Sequence, residues 1–177
     1  MTKVENLMNT ARMLEKKSNI MLEQARLEGE IPASAEKFLE LMRQESFVKE
    51  FNNCASAEAL KELLDRNGVD FTMEEIDAIL VGIGTMFLKV EENNGELTEE
   101  DLEQIAGGWS LKSFLIGVTS GIVGGALIAA ACVGCFFAVA GTSGIATPVA
   151  VAATAKIIGA SVAAGAAVGA IVGSLLD

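Results

Sequence analysis

The feature that most constrains this 177-residue chain is the separation of its charge from its apolar bulk. Residues 1–108 hold 11 of the 13 Lys and Arg and 23 of the 24 Asp and Glu, a net −12; the remainder, with Lys112, Lys156 and Asp177, carries +1. From Ser113 to Ala155 no residue is charged, and from Ile157 to Leu176 none is either. A chain of this length could bury one ordinary core, but such a core draws apolar residues from every element. Here the acidic front and the apolar rear read as two parts, and the acidic part reads as too small to cover the other.

The charge pattern also excludes functions. An acidic front without a basic patch argues against nucleic-acid binding. The opening MTKVENLMNTARMLEKKSNI is charged throughout, so it is neither a secretory nor a twin-arginine signal. A chain of this kind leaves a cell only by another route. There is no His, which removes the commonest general base and metal ligand. Cys54, Cys132 and Cys135 make no disulfide framework and no zinc set. We expect no enzyme, no bound metal and no cofactor.

The front segment reads as helices. Over residues 3–29, Val4, Leu7, Met8, Ala11, Met13, Leu14, Ile20, Met21, Leu22 and Leu27 form an imperfect apolar stripe. Pro32 ends that helix or opens the next turn. Ser34 is placed to cap a second helix carrying Phe38, Leu41, Met42, Phe47, Val48 and Phe51. Asn52-Asn53 break it, and Ser56 caps a third with Leu60, Leu63 and Leu64 on its apolar face. Gly68 is the stop. Thr72 and Glu75 spell a capping box, with Phe71 stapled onto Ile76, for a helix through Phe87-Leu88 that Gly82 and Gly84 weaken. These helices read either as a small bundle or as a segment that orders fully only on a partner.

At the junction, Thr98 caps a short helix with Asp101 as its acidic third residue, and Leu97 staples onto Leu102. Acidic residues crowd the first turn, where the helix dipole favours them. Leu102 and Ile105 share a face. Gly107-Gly108 follow, and the apolar sequence begins at Trp109. A plain helix stop would use glycine too. A protease with a narrow cleft, however, needs residues without side chains before the scissile bond and an apolar face upstream to hold register. Leu97, Asp101, Leu102 and Ile105 are the candidate recognition residues, and Gly107, Gly108 and Trp109 the candidate cleavage site.

Leu97-Thr98, Asp101-Leu102, Ile105 and Gly107-Gly108 resemble the double-glycine leader of bacteriocin-type exported peptides. Upstream, Phe38-Leu39, Phe47, Leu60 to Leu64 and the run Asn67–Ile76 resemble the Nif-eleven-like leader family of natural-product precursors. The likeness covers about residues 34–108. It implies cleavage after Gly108 by a peptidase-containing ABC transporter, whose papain-like domain removes the leader during export. It also implies that a modification enzyme can bind the leader first. Residues 1–33 stand ahead of the pattern as an N-terminal extension, and the helix at 73–90 runs longer than the pattern needs.

Residues 109–177 would be the released product. A membrane-spanning helix needs about 20 mostly apolar residues, so two fit, roughly 113–140 and 149–176, divided by the turn at 141–148. Gly117, Gly121 and Gly125 recur every fourth residue in the first, and Gly165, Gly169 and Gly173 in the second. Such spacing lets helices approach closely, so self-association is expected. Trp109 and Lys112 suit a membrane interface. Cys132 and Cys135 read as small apolar filler, as a disulfide formed after export, or as thioether partners for the Ser and Thr of the same segment; Cys54 reads as inert.

The expected class is thus all-α: an acidic leader of short amphipathic helices followed by a glycine-rich helical hairpin. The expected function is a bacteriocin-like precursor, cytoplasmic until export, whose secreted product is antimicrobial and inserts into target membranes. A modified signalling peptide fits the same pattern. An uncleaved, holin-like two-span membrane protein with an acidic cytoplasmic domain is the alternative, and a soluble helical interaction protein is a third reading.

Overall fold

The structure, a computed structural model, describes residues 2–29, 31–93, 96, 98, 100, 127, 129–135 and 147–158. The architecture is all-α, and no strand occurs among the described residues.

The first helix, α1, spans Lys3–Glu28. Thr2 and Glu5 form a capping box that the sequence reading missed: the Thr2 N–H donates to Glu5 Oε2 at 2.6 Å and the Glu5 N–H to Thr2 Oγ1 at 3.3 Å. Gly29, with φ 71°, closes the helix in the left-handed region. Its buried stripe differs from the expected one. Leu7, Ala11, Leu14, Ser18, Leu22 and Ala25 are buried, at spacings of three and four, with Asn6 and Thr10 beside them; Val4, Ile20 and Leu27 face out, Leu27 at 85% exposure.

The expected second helix is two helices: α2, Ala33–Leu41, and α3, Glu45–Asn52. Tight turns separate them, with the Arg43 N–H donating to Glu40 O and the Gln44 N–H to Leu41 O. Ser34 is not the cap; Pro32 takes that position without a side-chain bond, and Ser34 lies inside the first turn. The break lets Phe38 of α2 meet Phe51 of α3 edge-on, at 6.1 Å between centroids and 61°.

Helix α4, Ala57–Arg66, starts where expected, with the Ala59 N–H donating to Ser56 Oγ at 3.1 Å. It ends in a Schellman arrangement: the Val69 N–H donates to Leu64 O and the Gly68 N–H to Asp65 O, with Gly68 at φ 75°. Helix α5, Met73–Glu92, begins on the expected capping box, the Thr72 N–H on Glu75 Oε2 at 2.7 Å and the Glu75 N–H on Thr72 Oγ1 at 3.2 Å. Phe71 and Ile76 are both buried, as a staple requires. Phe71 also stacks at a tilt on Phe38, 5.6 Å away, which joins the α5 entry to α2.

Two pieces of the apolar rear segment are described: helical residues 129–135, here α6, and α7, Pro148–Ile158. Thr147 caps α7 through the Ala150 N–H at 3.2 Å, and Pro148 follows at the first helical position. Among the described helices, α7 packs most extensively on α5, followed by α4 on α5 and by α3 on α7 and α4. Val149, Ala150 and Ala153 are buried together with Ile79, Ile83 and Phe87 of α5 in one core. No described helix is long and apolar enough to cross a membrane.

Candidate functional site

The candidate cleavage and recognition residues Leu97, Asp101, Leu102, Ile105, Gly107, Gly108 and Trp109 lie outside the described residues, as do Gly117, Gly121, Gly125, Gly165, Gly169 and Gly173. What is described of the approach to the junction is a turn after α5, the Glu96 N–H donating to Asn93 O at 3.2 Å, followed by exposed Thr98 and exposed, helical Glu100.

The candidate site residues that are described, Cys132 and Cys135, sit in a place the sequence reading did not foresee. Both belong to α6 and are fully buried, with Leu127, Ala129 and Ala131. All three cysteines are thiols, with no disulfide. Residues 129–135 contain only Ala, Cys, Val and Gly. A helix so thin lets neighbouring helices come close, and the contacts bear this out. A Cβ at Gly134 would stand 2.7 Å from Met42 Cε and 3.4 Å from Val48 Cγ1. The Asn52 Nδ2 donates to the Gly134 carbonyl at 3.3 Å, in a buried setting. Ser18 and Leu22 of α1, Leu39 of α2, Met42 just beyond it, and Ala130 and Val133 of α6 border one small cleft. Burial pushes the Cys135 thiol up, opposed by the Thr147 hydroxyl beside it.

Part of the apolar segment is therefore buried with the acidic front. The sequence reading weighed the size of that front and judged it too small; in the structure Leu127, Ala129, Ala131, Cys132, Cys135, Val149, Ala150 and Ala153 share one core with apolar residues of α1, α2, α3 and α5. The residues missed in this site were Asn52, read as a helix breaker, and Met42, Val48 and Ser18. Periodicity assigns such residues to a face but cannot say that Asn52 meets Gly134, 82 positions away.

Two ion pairs hold the cover together at its surface. Arg26 at the end of α1 grips Glu36 at the start of α2 through two parallel bonds, Nε to Oε1 at 2.8 Å and Nη2 to Oε2 at 2.9 Å. The hydrogen bond from Arg26 holds the Glu36 carboxyl below the usual carboxylate range, against the opposing effect of burial. Arg66 of α4 pairs with Glu50 of α3 at 3.0 Å. Cys54 donates to Glu50 O at 3.4 Å, and burial, aided by the Glu50 charge, pushes its thiol up. A protonated thiol is a poor nucleophile, which accords with the expectation that Cys54 is inert. No cluster able to hold a metal ion occurs among the described residues.

No protein-family model matches the chain, and neither a curated protein nor a solved structure matches it. The likeness to Nif-eleven-like leaders rests on the residues quoted for it.

Proposed function

We propose that this chain is the precursor of an exported, ribosomally made peptide. A peptidase-containing ABC transporter cleaves after Gly108, and the freed segment from Trp109 onward inserts into target membranes. The observation that carries this reading is the junction itself: Leu97, Asp101, Leu102 and Ile105 at fixed offsets ahead of Gly107-Gly108, placed where charge stops and apolar sequence starts. The helices α2 to α5, of which α4 and α5 carry side-chain caps, support it, since a leader that folds can offer its transporter, or a modification enzyme, a shaped surface.

The experiment is mass spectrometry of culture medium from a producing strain. A species beginning at Trp109 is the expected result. Only full-length chain, held in the membrane fraction, would instead establish the two-span reading. Gly107→Val or Gly108→Val should abolish release by filling the protease cleft, and normal processing of both variants would sink the proposal.

One observation favours a second reading, an uncut helical interaction protein: α6 and α7 are buried against the acidic helices as an ordinary core would be. That protein would stay monomeric and full-length in detergent-free buffer in cells that carry the transporter.

A further inference from the structure

Helix α5 is buried on more of its surface than one neighbour can cover. Ile76, Ile79, Leu80, Ile83, Phe87 and Val90 form a buried stripe at helical spacing. Ala78, Gly82 and Met86, four apart, form a second buried stripe beside it, and Glu74 and Val81 on the remaining face are exposed. An amphipathic helix lying on a single partner hides one stripe, roughly 100° wide. The front segment sets α4 against α5, but the more extensive contact is with α7, which comes from beyond residue 108. The buried face of α7 is Val149, Ala150 and Ala153, each 1% exposed or less, in one core with the first stripe of α5.

We propose that α5 is a retaining surface for the chain's own rear segment: α7 stays docked on it after the peptide bond between Gly108 and Trp109 is cut, so that cutting and release are separate steps. The importance of this for export rests on the precursor reading; the docking itself stands on the packing. A cut turns contacts within one chain into contacts between two, and forfeits an effective concentration on the order of millimolar. A small patch would then let go in dilute solution. Here the rear segment shares more than α7 with the front: Leu127, Cys132 and Cys135 belong to the same apolar cluster as Phe51 and Phe87. While docked, the buried face of α7 is occupied, so an exporter that frees the product must also pull α7 from α5.

The test uses the purified full-length chain with the recognition sequence of a site-specific protease inserted between Gly108 and Trp109. The folded chain is cut to completion in detergent-free buffer and passed over a sizing column at micromolar concentration. The two fragments should elute together at the position of the uncut chain, and should part in concentrated urea. Ala150→Glu buries a carboxylate without a partner on α7 and should cut the co-eluting share ~10-fold or more. Val81→Glu, on the exposed face of α5, should leave that share unchanged. Should Ala150→Glu abolish the helical circular dichroism, Ala153→Leu decides, since it only overfills the contact; it should lower the share severalfold. Wild-type fragments that part in buffer, or a rear fragment found only in aggregates, overturn the proposal. So does co-elution at the wild-type level in a helical Ala150→Glu, or failing that in Ala153→Leu. The protease is supplied and no transporter enters the assay, so a failure of cells to cut after Gly108 leaves its outcome untouched.

Discussion

Phe38 offers the sharpest measure of how the acidic front helices are built. It is fully buried, and its ring meets Phe51 at 6.1 Å and Phe71 at 5.6 Å, so one side chain joins α2, α3 and the entry to α5. Phe38→Ala removes a whole buried ring from a site that cannot collapse freely, a loss of about 3–5 kcal/mol. Phe38→Leu keeps most of the apolar volume but loses both ring pairs, each worth about 0.5–1.5 kcal/mol beyond burial, so about 1–3 kcal/mol is expected. Against a total stability of about 5–15 kcal/mol the Ala variant is severe. With a urea slope of about 1–3 kcal/mol per molar, its midpoint should fall by roughly 2 M. The assay is urea unfolding followed by circular dichroism, with Leu27→Ala as the comparison. Leu27 is 85% exposed, and its loss should change stability by no more than about 0.5 kcal/mol. If Phe38→Ala fell within 1 kcal/mol of the wild type, or matched Phe38→Leu, the three rings would not share a core and the reasoning would fail.

The local signals are testable in the same way. Thr72→Ala removes the acceptor for the Glu75 N–H and should lower stability by about 1 kcal/mol in the same urea titration. Gly68→Ala forces a side chain onto φ 75°, for about 1–2 kcal/mol, while the nearby Lys37 Nζ, 2.7 Å from the new Cβ, can swing away. Glu36 has a lowered folded-state pKa, so its contribution is present above the unfolded carboxylate value and fades as pH falls through the folded one. Because the pair is well exposed, the difference between wild type and Glu36→Gln should be under about 1 kcal/mol at neutral pH and should vanish in acid, as read by urea midpoints across the carboxylate range.

Much of the helical frame was legible because its determinants are local. The Ser56 cap, the Gly68 stop and the Thr72–Glu75 box each involve residues within a few positions of one another, and each forms as the spacing predicts. The boundary between α2 and α3 was not legible. Met42–Gln44 carries no Gly or Pro, and the turn there is favoured by ring packing that exists only once the chain has folded back. The stripe of α1 was half-read: apolar content marked Ile20 and Leu27, whereas position on the helix buried Ser18, Thr10 and Ala25 instead. Of the candidate site, Cys132 and Cys135 were found by spacing, and their burial as free thiols agrees with the reading of small apolar filler.

By itself the sequence determined the helical class, the Ser56 and Thr72 caps, the segregation of charge and the switch to apolar sequence after Gly107-Gly108, because dihedral preferences, short-range hydrogen bonds and charge counts are properties of neighbours along the chain. Only the tertiary structure decided that Ala130, Cys132 and Gly134 lie among the acidic helices, and that α7 runs along α5. Apolar periodicity states that a face must be covered. Hydrophobic attraction is non-directional and scales with area, so what covers that face is settled by which surfaces the whole chain can bring together.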